Sequence, residues 1–325
     1  DKDDFEAIIK DEINCPFDLI TEYPIRVKLY KILSGKVASD KKSARTFLLI
    51  NTHHIASDGW SSKVFQKELL AYYEAYVNED TKFSLPPLEI QYKDYAFWQR
   101  SYLNGELLEK QLNYWKDKLS GYQPLELPTD YTRPNRTDFQ GAYQEFTLTR
   151  KTSEKLRGLA EDLGTTLHSV LLSSVNILLS KYTGQQDILI GSPIANRHHR
   201  QTEGLIGFFV NTQVNRTLLT QSQSYEDLIH QVHQDQIAAQ LHQDLPFEKL
   251  VEVIGEERDA SRHPIFQVMF GVQSFVHDSK TIEEQRRYFE PFRRSNAFET
   301  VKFDLSIFID EGQEELQVEI SYATS

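Results

Sequence analysis

One cysteine, one methionine and three tryptophans are all that the chain of 325 residues carries of those types. With Cys15 alone, no internal disulfide can form, so a disulfide-stapled scaffold is excluded and a reducing compartment, the cytoplasm, is expected. A chain this long buries roughly 75% of its unfolded surface and needs no staple. Long hydrophobic runs are also missing. Nothing approaches the ~20 apolar residues of a membrane-spanning helix, and no secretory-signal pattern is found. A basic excess is missing as well. The 36 Lys and Arg against 48 Asp and Glu leave a net charge of −12, the opposite of the positive stripe that a nucleic-acid binder presents. Arg286-Arg287 and Arg293-Arg294 are short basic clusters. They read as solvated surface, with a patch that docks an acidic partner as the alternative. Neither nucleic acid nor membrane is expected as a partner.

What is present is concentrated in one run, Asn51-Thr52-His53-His54-Ile55-Ala56-Ser57-Asp58-Gly59-Trp60-Ser61. The apolar stretch Thr46-Phe47-Leu48-Leu49-Ile50 leads in as a strand, and Phe65, Leu69, Tyr72 and Tyr76 behind it are spaced like one face of a helix. The histidines therefore fall where a strand ends and a turn begins, a place that holds side chains rigidly at an open edge. Imidazole suits proton transfer near neutrality. Three readings fit the run. It is a hairpin corner with two ordinary histidines, or a metal site in which His54 and Asp58 share a helix face, or a catalytic turn with His54 as the acting imidazole and Asp58 fixing the loop. Gly59 and the preceding strand argue against a helix through His54, and no further ligand cluster stands out, so no metal is expected. The second pair, His198-His199, lies in a polar loop, 196–201, with no Asp-Gly behind it, and reads as surface.

Ile25, Val27 and Leu29 alternate with Arg26 and Lys28 as in a half-buried strand. A polar loop, 34–43, separates it from the strand before His53, and the two are expected to pair as an antiparallel hairpin. Helices are expected over 61–77 and 103–119, the latter carrying Trp115. The segment 121–134 contains Pro124, Pro128 and Pro134 without periodicity and marks an extended linker. The lobe boundary is placed there: an N-terminal lobe 1–120, a linker 121–142 and a C-terminal lobe 143–325. Beyond it the pattern predicts a strand over 144–148 and helices over 152–163 and 165–182, with Gly164 between them and Thr165 capping the second. A strand over 187–194, a helix over 225–241 and strands over 265–275, 302–309 and 316–322 complete the reading. This mixture lacks the regular alternation of a doubly wound parallel sheet, so the expected class is mixed α/β (α+β).

The motif His53-His54-x-x-x-Asp58-Gly59 resembles the signature of the condensation domains of nonribosomal peptide synthetases. Tyr92-Lys93-Asp94-Tyr95-Ala96-Phe97-Trp98 resembles that family's next motif, and Ile206-Gly207-Phe208-Phe209-Val210-Asn211-Thr212 the one after. His242-Gln243-Asp244-Leu245-Pro246-Phe247-Glu248 and Arg258-Asp259-Ala260-Ser261-Arg262-His263-Pro264 follow in the family's order. With five motifs in order over most of its length, the chain is identified as a member of that family. The resemblance implies two lobes, each like chloramphenicol acetyltransferase, set in a V with the site in a tunnel where they meet. The family's two opening motifs are missing and the final strand looks unfinished. The first lobe is therefore expected to be truncated at its start and the second at its end, the chain being a piece of a larger polypeptide.

The resemblance also implies the chemistry: the amine of an acceptor aminoacyl group attacks the thioester of a donor, and a peptide bond forms. His54 would be the acting residue and His53 a structural one, its ring turned into the lobe. Asp58 would be an ion-pair partner, held in the family by an arginine from the opening segment. Gly59 would permit the turn, leave room for substrate and offer its N–H to the oxyanion. Trp60 and Asn211 are the candidate substrate or tunnel residues, with a strand-end amide that pairs with backbone as the other reading of Asn211. Tyr92, Asp94 and Trp98 have helix-like spacing suited to packing. Asp244, Pro246 and Phe247 look like a turn opening a helix, and Arg258, Asp259 and Arg262 like a salt-bridged loop. No resident cofactor is implied. Phosphopantetheine would arrive on donor and acceptor peptidyl carrier domains, with an adenylation domain adjacent in the same polypeptide. The sequence 57–61 is similar to members that join an L-configured donor to an L-amino-acid acceptor. Two alternatives stand beside this reading: a stand-alone thioester-dependent acyltransferase, and a degenerate condensation-like domain that recruits a partner.

Overall fold

Alternating apolar residues produce the first two strands, β1 (Ile25–Leu33) and β2 (Ala44–Thr52), paired antiparallel with Ile25 opposite Thr52 and Leu29 opposite Leu48. The computed structural model describes residues 2–33, 44–254, 259–273, 288–289 and 300–324. The loop 34–43, Arg258, the end of the strand expected over 265–275, and the clusters Arg286-Arg287 and Arg293-Arg294 lie outside the described residues. Helix α1 (Lys2–Asn14), which the sequence pattern did not announce, covers one face of the hairpin. Its Phe5 ring lies 5.7 Å from that of Tyr30 and 4.7 Å from that of Phe47. Asn51 Nδ2 donates to the carbonyls of Glu12 (3.1 Å) and Ile13 (3.2 Å) where the helix ends. Strand alternation puts Ile25, Val27 and Leu29 on the opposite face, where all three are exposed.

The chain divides into two compact units. One holds the residues up to Tyr92 together with Arg197–Phe209, and the other holds Lys93–Asn196 and most of the chain from Val210 onward. The division falls before the helices α3 (Tyr92–Tyr102) and α4 (Gly105–Leu119), not in the proline-rich segment 121–142. The reason is packing. Trp115 and Leu119 of α4, with Tyr122, join a buried cluster of the second unit around Leu189, Val214 and Phe266. The proline-rich segment is itself tied down, through Leu125 N to Gln267 Oε1 (3.0 Å), Glu126 N to Gln185 Oε1 (2.7 Å) and Arg133 to Asp304.

The second unit is built on a six-stranded mixed sheet of order β3-β8-β7-β6-β4-β5. Its strands are β3 (Gly141–Thr147), β4 (Asp187–Ile194), β5 (Asn211–Leu218), β6 (Val268–Gln273), β7 (Leu305–Asp310) and β8 (Gln317–Ala323). Pairings β3/β8, β7/β8 and β4/β5 are antiparallel, and β4/β6 and β6/β7 parallel. Successive residues of a strand face opposite sides. Ile188, Ile190, Val268 and Phe270 join one buried cluster with α6 (Leu167–Thr183) and α7 (Tyr225–Gln240), while Leu189 and Met269 join the other with α4 and α8 (Phe247–Ile254). Both faces are thus covered by helix. Helix α5 (Arg150–Asp162) precedes α6, whose cap is Thr166, not Thr165: the Thr166 side chain accepts from the Ser169 amide. Gly184 closes α6 at φ 73°, the left-handed conformation that glycine adopts freely. Strand β5 was not legible, because Asn211-Thr212-Gln213-Val214-Asn215-Arg216-Thr217-Leu218 is mostly polar. It pairs along its whole length with β4, Asp187 opposite Leu218.

Candidate active site

The turn behind β2 is made by the motif itself. His53 is extended (φ −70°, ψ 138°), and its Nδ1 accepts from the Ile55 amide at 3.0 Å, so the ring caps a short 3-10 turn, His54–Ala56. With Nδ1 accepting, the proton of the neutral ring sits on Nε2. The His53 amide donates to Pro24 O (2.9 Å), and its half-buried ring meets Phe17 edge-on at 5.7 Å. His54 is exposed. Among the described residues its ring has no hydrogen-bond partner, and the ring of Phe208 meets it edge-on at 5.1 Å and 87°.

Asp58 caps α2 (Gly59–Val77), its Oδ1 accepting from the Ser61 amide at 2.8 Å. Oδ2 accepts from the Phe209 amide at 2.9 Å. Arg197 Nη2 lies 3.2 Å from Oδ1, with the two side chains only 1% (Arg197) and 3% (Asp58) exposed. Both terminal nitrogens of the guanidinium make further bonds: Nη2 donates to Ser61 Oγ (2.8 Å), Nη1 to the carbonyls of Thr202 and Leu205, and the group lies 3.9 Å from the centroid of the Phe209 ring. A planar fork suits this many directed acceptors, which an ammonium would not reach. Burial pushes the Asp58 carboxyl pKa up, but donors from Ser61 and Phe209 and the charge of Arg197 outweigh it and hold the group below the ordinary carboxylate value. A carboxylate so held is ionised at neutral pH and has no role as acid or base.

The opening segment to which the resemblance assigns a cation lies outside this sequence; in this chain a cation stands beside Asp58 139 residues after it, at Arg197. Arg197 stands in a stretch that reads as a polar surface loop, and hydropathy gives no sign of it. Asn196, directly before it, has φ 52°, a conformation that asparagine tolerates better than most residues and that turns the chain there. Ser61, fully buried, completes the network. Its hydroxyl accepts from Gly207 N (3.1 Å) and from Arg197 and donates to Gly207 O (2.9 Å). Trp60 Nε1 donates to Glu203 O (2.9 Å) while its ring stays 43% exposed. Tyr92 Oη donates to Phe208 O (2.8 Å). A Cβ at Gly207 would fall 2.2 Å from the Tyr92 ring, so the close approach requires glycine. Within the segment 203–209, Glu203, Gly207 and Phe209 are in this way fastened to Trp60, Ser61 and Asp58, and Leu205 and Phe208 to Arg197 and Tyr92. Among the described residues, no three His, Cys, Asp or Glu gather in a way that could hold a metal.

The family profile of the Condensation domain matches residues 1–325. The chain belongs to the condensation-domain family. It is 37% identical over 315 residues to gramicidin S synthase 2 of Brevibacillus brevis, covering 97% of this chain and 7% of that protein. It is 36% identical over 324 residues to tyrocidine synthase 3 of Brevibacillus parabrevis, covering 99% of this chain and 5% of the relative. The chain thus spans a small fraction of the length of the curated relatives it matches. Among solved structures, the X-domain from teicoplanin biosynthesis superimposes with a TM-score of 0.82 at 24% identity, over 99% of this chain and 72% of that one, a likeness that shows the fold. The mixed α/β class expected from the sequence holds.

In this condensation domain Gly59 is the first residue of α2, outside the positive-φ glycines. A Cβ there would meet nothing within 4 Å among the described residues. The expectation that glycine is needed for the turn is therefore corrected: the turn is shaped by the His53 and Asp58 caps, and an L-residue fits it. Asn211 stands at the starting end of β5. Its amide donates to Gln243 O (3.0 Å) and Leu245 O (2.8 Å) and accepts from Phe247 N (3.0 Å) and Thr212 N (2.8 Å), fastening the turn before α8. The remaining motif residues pack. Trp98 stacks on Tyr102 at 4.8 Å, His242 on Tyr114 at 3.9 Å and His263 on Phe247 at 5.5 Å, and Asp259 lies 3.6 Å from Arg262. No single helix among the described residues is long and apolar enough to cross a membrane.

Proposed function

We propose that this condensation domain is an acyltransferase that forms peptide bonds, with His54 as its acting side chain. One observation carries the reading: of the three polar signature residues, His53 caps the turn through Nδ1 and Asp58 is paired with Arg197, while the exposed ring of His54 has no hydrogen-bond partner among the described residues. Of the signature side chains, His54 is the one we assign to handle a proton at that surface. The relatives named as gramicidin S and tyrocidine synthases support peptide synthesis as the setting.

In the proposed reaction the acceptor's neutral α-amine attacks the donor's thioester carbonyl. The C–N bond forms, the C–S bond breaks, and the proton lost by nitrogen passes through a His54 ring nitrogen to the departing sulfur. An α-amine has a pKa of about 7.7–8.0, so roughly a tenth is already neutral near pH 7 and prior deprotonation is worth only about 1 kcal/mol. A positioned base contributes roughly 10²–10⁴ in rate. His54 therefore acts mainly by placing the amine and taking its proton as the bond forms. The amide of Gly59, at the positive end of α2 and without an intrahelical acceptor, is the proposed oxyanion donor. Trp60 borders the same turn, whereas Asn211 acts as scaffold. Donor and acceptor groups are proposed to arrive on the phosphopantetheine arms of separate carrier domains, beside an adenylation domain of the same polypeptide, in the cytoplasm; no resident cofactor enters the scheme.

The test is a mass-spectrometric condensation assay with aminoacyl carrier proteins as donor and acceptor, comparing the domain at its full natural length with His54→Ala. Dipeptidyl-carrier formation that collapses in the variant is the expected result. If no carrier pair gives product while the protein is folded and still binds carriers, the reading is refuted and recruitment of a partner takes its place.

A further inference from the structure

We propose that Phe208 is a positioning residue for His54: its ring edge holds the imidazole in one rotamer. The proposal rests on the reading of His54 given above. Phe208 is 37% exposed, a large apolar ring only partly withdrawn from water. Its backbone, by contrast, is held at every step. Gly207 exchanges both its N–H and its C=O with the Ser61 hydroxyl, Phe208 O accepts from Tyr92 Oη, and Phe209 N donates to Asp58 Oδ2. Tyr92 also lies edge-on to Phe209 at 5.1 Å and leaves no space for a side chain at Gly207.

The residues on either side of Phe208 are thereby tied to Ser61 and Asp58, seven and four positions beyond His54, and Phe208 itself to Tyr92. The Phe208 ring is consequently set at a fixed distance from the histidine. His54 needs such a restraint, because no hydrogen bond among the described residues orients its ring and an exposed imidazole otherwise turns freely about χ1 and χ2. Edge-to-face packing of this kind favours one arrangement by a factor of about 2–13. Placing a general base correctly matters on that scale or above it, since small displacements of a catalytic group reduce the rate steeply.

The test uses Phe208→Leu, with Phe208→Met as a second variant in case the first is unstable, and Phe208→Tyr, which keeps the ring. His54 is followed by NMR in the full chain with ¹³C-labelled histidine, its signals among the ten histidines assigned by their loss in His54→Ala. Steady-state condensation is measured in parallel. In Phe208→Leu the His54 Cε1–H and Cδ2–H resonances are expected to move toward those of a freely rotating imidazole. Turnover should fall about 2–13-fold at unchanged acceptor KM, and Phe208→Tyr should restore both. Unmoved His54 resonances overturn the proposal, as does a moved resonance with wild-type turnover. If His54→Ala itself retains full activity, the reading of His54 fails, which is a separate outcome from a silent Phe208→Leu beside an inactive His54→Ala.

Discussion

Replacing Arg197 perturbs the site at its most connected point. An ion pair with about 4 Å between charges, at an effective dielectric near 20, attracts by roughly 4 kcal/mol. Desolvating the two ions costs several kcal/mol each, so the intact Arg197–Asp58 pair sits close to neutral in net energy. Removing one partner is different. Arg197→Leu takes the Arg197 charge away from a buried Asp58 that keeps the Ser61 and Phe209 amides, and it leaves the carbonyls of Thr202 and Leu205 without this donor. Breaking a buried pair costs roughly 3–5 kcal/mol. The two retained amides place the expected loss toward the lower end, about 3–4 kcal/mol. Arg197→Lys should recover little of it, because one ammonium cannot serve Asp58, Ser61, Thr202 and Leu205 together. The assay is a double-mutant cycle of Arg197→Leu and Asp58→Asn, read by urea unfolding and by hydrogen exchange over 58–61 and 203–209. A coupling of about 2 kcal/mol is expected, with protection lost in both segments. Additivity within about 0.5 kcal/mol, or wild-type protection in Arg197→Lys, would refute the argument.

Two further perturbations separate packing from chemistry and from pH. Gly207→Ala is expected to destabilise by about 1–3 kcal/mol as the new Cβ displaces Tyr92, whereas Gly59→Ala should leave the urea midpoint unchanged or raised and yet lower condensation at least tenfold; a destabilised Gly59→Ala would sink the contrast. Burial lowers the pKa of His168 to about 4, only partly opposed by its bond to Gln236. The native state therefore keeps this ring neutral while the unfolded chain titrates near 6.5. Its stabilising contribution is fully present above about pH 6.5 and is lost as the pH falls toward 4, by up to about 3 kcal/mol. Urea midpoints at pH 7 and 4.5 should differ less in His168→Gln than in the wild type, and equal differences would contradict the assignment.

The sequence made the parts of this molecule that follow a period or a turn rule legible, and concealed those that depend on distant partners. The β1–β2 hairpin was readable because Ile25, Val27 and Leu29 alternate with charges, and β4 because 187–194 is an apolar run between turn residues. The strand β5 was hidden by its polar composition, which is tolerated because Arg216 pairs with Asp187 and donates to the carbonyls of Lys118 and Ser120. Helix α1 was hidden because few apolar positions, Phe5 and Ile9 foremost, carry its buried face. At the site, the turn was visible in the His-His-x-x-x-Asp-Gly spacing, since capping is local chemistry. Arg197 was not, because an ion pair across 139 residues leaves no local pattern. The boundary of the compact units was missed for the same reason: the prolines of 121–134 describe a stiff, extended segment, and only the contacts of Trp115, Leu125 and Arg133 reveal to which unit it is tied.

The two glycines of the site show how far packing explains the sequence and where it stops. Gly207 is dictated by the fold, for the Tyr92 ring occupies the space a side chain would need. Gly59 is dictated by nothing among the described residues, since its φ is ordinary and its side-chain position is open. A helix gains up to about 1 kcal/mol when alanine replaces an interior glycine. Even if less is at stake at the first position, stability alone would favour a side chain there. The space beside the first amide of α2, adjoining the turn that carries His54, has a use that the fold itself does not reveal. A tetrahedral intermediate needs both: an N–H donor it can reach and no Cβ in front of it. That coincidence, among the described residues, of an open glycine, a helix amide without a partner and an imidazole without a hydrogen bond is what favours the proposed acyl transfer at this turn over a structural corner.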